Sequence, residues 1–313
     1  MKKYKKKLLI IVDGNNYLYR SYFAFKNLKN KKGESVGAIY GFLIMLKKVF
    51  NEYNPTKIII VFDHPKINFR KKIYKNYKSN RPKIPKKLKK QIKTITKIIK
   101  HIGIPILKIP GFEADDIIGT LSIINNNSKQ KILILTNDKD MTQLINKNVK
   151  ILNSNEQIIG KKEVKKKYGV SPKLIKYFLA IVGDRSDNIP GIPGIGIKTA
   201  QKILKVFKSL KEIYNNLEKL KFINIRNSKK LENIFKKNKK IAFLSYSLSK
   251  IKINIKLKTL KKKFKLKKPN LKKIFEYFKK NDFKKLKKSF KKSYWFQNLL
   301  NKNNIYKNIK SKI

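Results

Sequence analysis

Three short runs of apolar residues divide the first half of the chain, and each ends at an aspartate or in a loop that carries one. The runs are LLIIVDG at residues 8–14, KIIIVFD at 57–63 and KILILTND at 131–138. Continuous runs of this length, rich in β-branched residues, are typical of strands buried on both faces of a parallel sheet. The pattern therefore predicts three buried strands with acidic residues at their carboxyl ends.

Helical periodicity fills the segments between these strands. Apolar residues recur at helical spacing over Val36–Tyr53, Lys86–Ile102 and Glu113–Ile124, and further helices are predicted at 172–182 and from Lys198 onward. Alternating strands and helices indicate an α/β fold with a central, mostly parallel sheet flanked by helices. In such folds the functional site lies beyond the carboxyl ends of the strands, which is where the aspartates fall.

The rest of the chain has a different character. Beyond about residue 207 it is predicted to be helical and rich in lysine, with one apolar, strand-like stretch near Ser249–Leu257. We expect three parts: an α/β core at 1–180, a second region at 181–290 and a polar tail at 291–313. The N-terminal apolar run, Leu8–Val12, is too short to cross a membrane or to direct export, so we expect a cytoplasmic protein without a membrane partner.

The formal charge is +62, from 80 Lys and Arg residues against 18 Asp and Glu residues. A field of this size favours polyanionic partners such as nucleic acid. Lys, Ile and Asn recur everywhere, however, and all three have AT-rich codons, so drift in a biased genome is an alternative source of many lysines. The chain has no cysteine and only two histidines, which excludes disulfides, thiolate nucleophiles and cysteine- or histidine-rich metal sites.

The few acidic residues are more informative than the many basic ones, because they are clustered. Eight of the nine aspartates fall in five short contexts within the first 187 residues, and one glutamate joins them. Carboxylate oxygens are the ligands that Mg²⁺ and Mn²⁺ take, and two such ions about 3.5–4 Å apart serve phosphodiester hydrolysis. The candidate metal ligands are Asp13, Asp63, Glu113, Asp115, Asp116, Asp138, Asp140, Asp184 and Asp187.

Single members of this set have structural alternatives. Asp140 could cap the helix that follows it, Asp115 could interact favourably with the dipole of its helix, and Asp63 could form a turn. Taken together these alternatives fail, because so many unpaired carboxylates at one edge of a sheet would repel one another without a cation. Neither histidine lies in the context of a nucleophilic triad.

A basic and aromatic segment, NFRKKIYKNYKSNRPKIP, follows the second strand. Its two prolines limit regular structure, so residues 66–85 are predicted to form a mobile cover over the site. We expect its cations to contact phosphate and its tyrosines to stack on bases, as where single-stranded nucleic acid passes. The residues concerned are Arg70, Lys78, Arg81, Tyr74 and Tyr77, and Arg20 is also expected near the site. A solvated basic face is the alternative for any one of these cations.

The segment GIPGIGIKTAQKIL, at 191–204, resembles a helix–hairpin–helix motif. In such a motif a glycine hairpin lets backbone amides approach a phosphate, and the following helix points its N-terminus at that phosphate. The residues expected to contact duplex DNA are Gly191, Gly194, Gly196, Lys198 and Thr199. A purely structural loop is the alternative, since a glycine hairpin alone is only moderately specific.

Five motifs occur in one order along the chain: VDGNNYLYRSYFA, FRKKIYKNYKSNRP, GFEADDIIGTL, ILTNDKDMTQL and GDRSDNIPGIPGIGIKTA. Together they resemble the 5′→3′ exonuclease domain of bacterial DNA polymerase I, a member of the flap endonuclease superfamily. The resemblance runs from about residue 8 to residue 290. The polymerase would follow where this sequence ends, so we expect a free-standing nuclease or one separated from its polymerase.

The resemblance implies a nuclease core at 1–180, a helical arch over the active site at about 66–90, and a DNA-binding helix–hairpin–helix and helical region at 181–290. It implies structure-selective cleavage of DNA 5′ ends, nicks and 5′ flaps and removal of RNA primers, with two or three Mg²⁺ or Mn²⁺ ions. By position, the more tightly held metal would be served by Asp13, Asp63, Glu113, Asp115 and Asp116. That site and the second would be completed by Asp138, Asp140, Asp184 and Asp187.

The resemblance also implies roles for the basic groups. Tyr77, Lys78 and Arg81 would hold and polarise the scissile phosphate, with Arg20 on its 5′ side. The hairpin at 191–199 would grip downstream duplex, with a potassium ion on its backbone carbonyls. We expect a monomer at the nucleoid that hands its product to a separate DNA polymerase and a ligase. Arg185 and the lysines around it depart from the family by adding charge beside the acids.

Two other functions are weaker hypotheses. A non-catalytic binder of branched DNA would account for the charge and the hairpin, but it predicts at least one missing carboxylate, and none is missing. An RNA-degrading nuclease with a small acidic site would lack the hairpin after the last acidic pair, and this chain has that hairpin.

Overall fold

A computed structural model describes residues 7–126, 130–256 and 266–292 of the chain. Its six strands form one sheet in the order β3-β2-β1-β4-β5-β6, in which all neighbours are parallel except the antiparallel pair β5 and β6. The strands are β1 (Lys7–Asp13), β2 (Lys57–Val61), β3 (Ile106–Leu107), β4 (Gln130–Leu135), β5 (Val149–Leu152) and β6 (Ile158–Ile159).

The register of the central strands explains where the acidic residues meet. Asp13 lies beside Val61, and Val12 lies beside Leu135, so β1, β2 and β4 end at the same edge of the sheet. These three strands are the predicted ones, and nearly all their residues are buried on both faces, as their apolar runs require. The mostly parallel α/β fold predicted from the sequence is confirmed.

Helices cover both faces of this sheet. In chain order they are α1 (Gly14–Ala24), α2 (Gly37–Tyr53), α3 (Phe69–Ile73), α4 (Lys86–Ile102), α5 (Ala114–Ile124), α6 (Lys161–Tyr168), α7 (Ile175–Val182), α8 (Ile197–Val206), α9 (Leu210–Tyr214), α10 (Leu231–Lys237), α11 (Lys239–Ser249), α12 (Leu271–Lys280) and α13 (Lys284–Lys291). Short 3₁₀ helices lie at Asp140–Leu144, Pro172–Leu174, Arg185–Asp187, Leu217–Phe222 and Ser228–Lys230.

The predicted helices are present, and their ends have local causes. Helix α2 ends at Asn54, which takes a left-handed conformation just before Pro55. Helix α4 spans the predicted residues and ends at Gly103, where φ is +90° and an added Cβ would collide with the backbone of Lys267. Sequence periodicity therefore located the elements that carry the site.

The sheet separates two hydrophobic cores. On one face, Leu9 and Ile11 of β1 pack with residues of α5, α7 and α8. On the other face, Leu8, Ile10 and Val12 pack with α1, α2, α4, α12 and α13. The alternation of side chains along a strand produces this division. Consequently the two sets of helices lie on opposite sides of the acidic edge.

One expectation for the fold is corrected. The stretch near Ser249–Leu257 is not a strand over its described residues: α11 extends to Ser249, and residues 251–256 are irregular. Ile251 and Ile255 are apolar because they pack into the core beside α5, which explains the misleading pattern. Residue 257 and residues 293–313 of the predicted tail lie outside the described residues. In the described parts of the chain, no helix is long and apolar enough to cross a membrane.

Candidate active site

The first two acidic residues are fixed at the ends of their strands by hydrogen bonds. Asp13 is the N-cap of α1: one of its carboxylate oxygens accepts from the backbone amide of Asn16, and the other accepts from the hydroxyl of Thr136 at 2.8 Å. Asp63 accepts from the amide of Ala114 at 2.7 Å, so it ties the end of β2 to the start of α5. Asp63 thus bridges two elements rather than only forming a turn.

Three further acids come together from two distant segments. Asp140, Asp184 and Asp187 are buried, and each offers a carboxylate oxygen within 4.8 Å of those of the other two. One oxygen of Asp140 and one of Asp184 have no hydrogen-bond partner in the structure. Asp140 does not cap its helix, since no side-chain cap is formed there. Buried carboxylate oxygens without donors are the expected state of ligands for a cation.

The electrostatics of the cluster support this interpretation. Burial, together with the charges of Asp138 and Asp63, raises the pKa of Asp13 to about 7. Burial and neighbouring carboxylates also raise the pKa values of Asp115, Asp138 and Asp140. Each group is therefore destabilised as an anion by the others, and a divalent cation would relieve that repulsion. An all-oxygen set of this kind suits a hard ion such as Mg²⁺ or Mn²⁺.

The basic segment after β2 folds onto these acids. Lys78 donates from Nζ to Glu113 at 2.8 Å and from its backbone amide to the carbonyl of Asp187 at 2.9 Å. Burial lowers the pKa of Lys78, but Glu113, Tyr77 and nearby aspartates outweigh burial and raise it overall. Arg81 forms an ion pair with Asp187. The segment thus contacts the acidic cluster through specific hydrogen bonds and an ion pair.

The predicted helical arch is short in this structure. Between residues 66 and 85 the described helix is α3, of five residues, and turns connect it to α4. An exposed cavity of about 490 Å³ opens between this segment and the acids, and its lining includes Arg81, Asp138, Asp184 and Asp187. The cationic segment and the carboxylates therefore face a common space.

Arg70 and Asp116 do not have the positions expected of them. Arg70 is only 2% exposed, so it is too deeply buried to contact a phosphate of DNA. Its guanidinium donates to both carboxylate oxygens of Asp116 at 2.7 Å, to Glu113 at 3.2 Å, and to the carbonyls of Leu248 and Lys250 at 2.8 Å.

The carboxylate of Asp116 is correspondingly occupied. Besides the Arg70 bonds, it accepts from the amides of Lys252 at 2.8 Å and Glu113 at 3.2 Å. With both oxygens engaged and the side chain fully buried, Asp116 lacks a free lone pair directed at the cluster. The expectation that it ligates metal directly is corrected: it binds the arginine that also contacts Glu113.

The other aromatic and cationic candidates are placed around the cluster. Tyr77 is buried and donates to Glu113 at 3.1 Å, which leaves it no surface on which a base could stack. Tyr74 is half-buried and packs against the cluster that contains Tyr77. Arg20 donates to the carbonyl of Ser154 at 2.7 Å and remains partly accessible.

The three hairpin glycines differ in burial and in their surroundings. Gly191 is buried with φ of +70°, its amide donates to Ser245, and an added Cβ would collide with the backbone of Gly183. It therefore serves close packing and does not face a phosphate, contrary to expectation. Gly194, with φ of +80°, and Gly196, at the N-terminus of α8, are exposed with open space where a Cβ would lie. Lys198 is exposed and Thr199 half-buried in the first turn of α8.

Several residues that support the site were missed from the sequence. Thr136 and Asn16 hold Asp13, and Asn15 donates to Asp63. Lys139 donates to Asp184 at 2.6 Å, which places a cation inside the acidic trio. The ILTNDKD and DGNN motifs contain these residues, so a search for polar groups directly beside the aspartates would have found them.

The fold and the site together are those of a nuclease with a cluster of buried carboxylates, a donor set that suits divalent metal ions. Residues 8–169 match the family described as 5′-3′ exonuclease, N-terminal resolvase-like domain, and residues 170–272 match the 5′-3′ exonuclease, C-terminal SAM fold. The chain therefore belongs to the 5′-3′ exonuclease family, and it is a 5′ nuclease. The resemblance inferred from the five motifs is confirmed.

Sequence relatives agree with this assignment. The 5′-3′ exonuclease of Buchnera aphidicola subsp. Baizongia pistaciae is 45% identical over 94% of this chain and 98% of its own length. That of Aquifex aeolicus is 40% identical over 91% of this chain and 96% of its own length. The DNA polymerase I of Pseudomonas aeruginosa is 39% identical over 80% of this chain but only 28% of its own length.

Solved structures share the fold at lower identity. T5 5′-exonuclease with bound divalent zinc ions gives a TM-score of 0.66 at 19% identity, over 79% of this chain and 90% of that one. The catalytic core of Rad2 in complex with a DNA substrate gives 0.61 at 17% identity, over 94% and 92% of the two chains. These likenesses support the architecture described above.

Proposed function

We propose that this nuclease hydrolyses phosphodiester bonds at DNA 5′ ends, nicks and 5′ flaps, and removes RNA primers, with two or three Mg²⁺ or Mn²⁺ ions. The observation that carries the proposal is the cluster of buried carboxylates, with two oxygens lacking donors, that faces the cations of the segment after β2. Divalent cations would relieve the repulsion that remains among these carboxylates beside their pairs with Lys78, Arg81 and Lys139, and the neighbouring space is open enough for a phosphate.

The metal ligands in this proposal are eight carboxylates. Asp13, Asp63, Glu113 and Asp115 would serve one ion, and Asp138, Asp140, Asp184 and Asp187 would complete that site and the second. When bound, such ions would supply an activated water at neutral pH and charge stabilisation for the leaving oxygen. Asp116 is assigned instead to holding Arg70.

The protein's own cations position the substrate. Arg81 lines the open space beside Asp187, and Lys78 is largely buried against Glu113; both would attract a phosphate and hold it against the carboxylate cluster. Tyr77 orients Glu113 and Lys78, since its hydroxyl bonds to the same carboxylate that Lys78 contacts. Arg20, which is partly accessible beside Ser154, would receive the strand on the 5′ side.

The hairpin supplies sequence-independent affinity for duplex. Gly194 and Gly196 expose backbone amides at the N-terminus of α8, and Lys198 and Thr199 follow in its first turn, so this end attracts a phosphate. Backbone carbonyls of the hairpin would hold a potassium ion. The protein would act as a cytoplasmic monomer at the nucleoid and pass its nicked product to a DNA polymerase and a ligase.

The test is cleavage of end-labelled flap, nicked and blunt DNA, and of a primer with RNA at its 5′ end, by the purified protein. With Mg²⁺ or Mn²⁺ we expect products cut near the 5′ junction, and with EDTA none. Intact flap substrate in the presence of both metals, under conditions where the protein binds it, would refute the proposal.

A further inference from the structure

A basic cleft lies between α2 and α13, away from the acidic edge of the sheet. It consists of two adjoining cavities of about 520 and 400 Å³. Five lysines line it, with Glu52 as the one acidic residue in its lining. They are Lys47, Lys48, Lys285, Lys288 and Lys292.

The lysines of this cleft are arranged on two facing helices. Lys285 and Lys288 on α13 and Lys292, which caps its C-terminal end, follow one another at helical spacing, while Leu286 and Phe290 on the other side of the helix are buried. The two helices are held together where Lys47 donates to the hydroxyl of Ser289. Segments more than 200 residues apart thus bring like charges to one concave surface.

The charge of this cleft favours an anionic ligand. Lys285, Lys288 and Lys292 are exposed to solvent around it, Lys47 is half-buried, and Lys48 forms an ion pair with Glu156. Ammonium groups that converge on one concave surface produce a positive potential there, which attracts a polyanion.

We propose that this cleft binds the sugar–phosphate backbone of a nucleic-acid strand, as a contact surface separate from the acidic site and the hairpin. From Lys285 to Lys292 the helix advances seven residues, or about 10 Å. Phosphates of one strand recur about every 3.4 Å along a B-form helix axis, so this lysine stripe spans about three of them. Lysine is a phosphate-binding point charge without base specificity, which fits a nuclease that selects shape rather than sequence.

The position of the cleft in the fold indicates how this contact would orient the substrate. Helices α2 and α13 pack on the sheet face that carries Leu8, Ile10 and Val12, whereas the hairpin helix α8 packs on the opposite face. A nucleic acid contacted on both sides of the sheet would be held on either side of the acidic edge. Such two-sided contact would orient a branched substrate.

The test is the salt dependence of DNA binding by a triple variant, Lys47→Gln/Lys285→Gln/Lys288→Gln. The full chain is titrated against an end-labelled 5′-flap duplex in Ca²⁺ at several salt concentrations. Each lost phosphate contact removes about 0.9 from the slope of log K against log[salt], so we expect a slope shallower by about 2 to 3. The matched control, Lys161→Gln/Lys162→Gln/Lys165→Gln, removes the same charge from exposed positions on α6 and should leave the slope unchanged.

Three outcomes overturn the inference. An unchanged slope in the cleft variant would exclude nucleic acid as the ligand, whatever other anion or acidic protein binds there. Equal changes in both variants would show that only net charge matters. Protection of the wild type from thermal unfolding by inorganic triphosphate, lost in the cleft variant without a change in slope, would assign the cleft to a small phosphate ligand. Because binding is measured without cleavage, these outcomes are independent of the proposed nuclease function.

Discussion

At the scale of single residues, the pairing of Arg70 with Asp116 changes the interpretation of two motifs. Both residues stand in motifs that predict function directly, as a phosphate contact and a metal ligand. The structure joins them in a buried bidentate pair that also reaches Glu113 and two carbonyls, one at the end of α11 and one just after it. Arg70 is therefore placed to position Glu113, and it acts through that residue rather than on DNA.

This assignment predicts a specific defect in Arg70→Lys. Lysine keeps the charge but cannot make the bidentate pair or reach the carbonyls at the same time. We expect activity at limiting metal to fall by about 10–100-fold and the Mg²⁺ concentration for half-maximal rate to rise, as is usual when a residue that orients a metal ligand is replaced. The salt slope of DNA binding should not change, because the side chain is buried.

The control for this prediction is Arg226→Lys, an identical substitution at an exposed position, which should resemble the wild type. A shallower salt slope in Arg70→Lys, with an unchanged metal requirement, would mean that Arg70 contacts phosphate after all. Loss of folded protein without a shifted metal requirement would make its role purely structural.

At the scale of elements, the strands and helices could be predicted because their signals are local. Val12, Ile60 and Leu135 lie in continuous apolar runs that only a buried strand accommodates. The environment of Arg70 could not be predicted, because its carbonyl partner Leu248 is 178 residues away and only the tertiary fold brings it close. The segment around Ile251 and Ile255 was wrongly predicted to be a strand for the same reason. Both side chains are apolar because the tertiary fold buries them against α5, not because the segment is extended in a sheet.

The hairpin element carries its own prediction. Lys198 is exposed in the first turn of α8, so Lys198→Gln should remove one phosphate contact and make the salt slope of duplex binding shallower by about 1. Lys205, exposed near the C-terminal end of the same helix, is the matched control and should show no change when replaced by Gln. An identical slope in wild type and Lys198→Gln would leave the hairpin a structural loop.

At the scale of the whole molecule, the net charge is +62, yet the acidic cluster concentrates negative charge in one buried site. Asp13 and Asp115 have folded-state pKa values raised above the ordinary 3.8. A raised carboxyl pKa contributes stability at low pH that is lost as pH rises through the folded value. Without metal, the acidic site should therefore destabilise the fold at neutral pH.

This predicts that Asp115→Asn raises the melting temperature in EDTA. The gain over the wild type should be absent near pH 4 and should grow toward pH 8, because asparagine removes a charge that the cluster disfavours. Mg²⁺ should stabilise the wild type more than the variant. Glu218→Gln, at an exposed acid, controls for net charge. A gain that is independent of pH would show that Asp115 is not part of a repelling cluster.

The central claim is that buried carboxylates at the edge of the sheet hold the metals for 5′ cleavage. Its most direct test is Asp140→Asn, measured as single-turnover cleavage of a 5′ flap in Mg²⁺ and as binding of the same DNA in Ca²⁺. We predict a rate loss of about 1,000-fold, equivalent to about 4 kcal/mol of transition-state stabilisation, with flap affinity retained or improved. Cleavage near the wild-type rate, or a loss of affinity as large as the loss of rate, would contradict the claim.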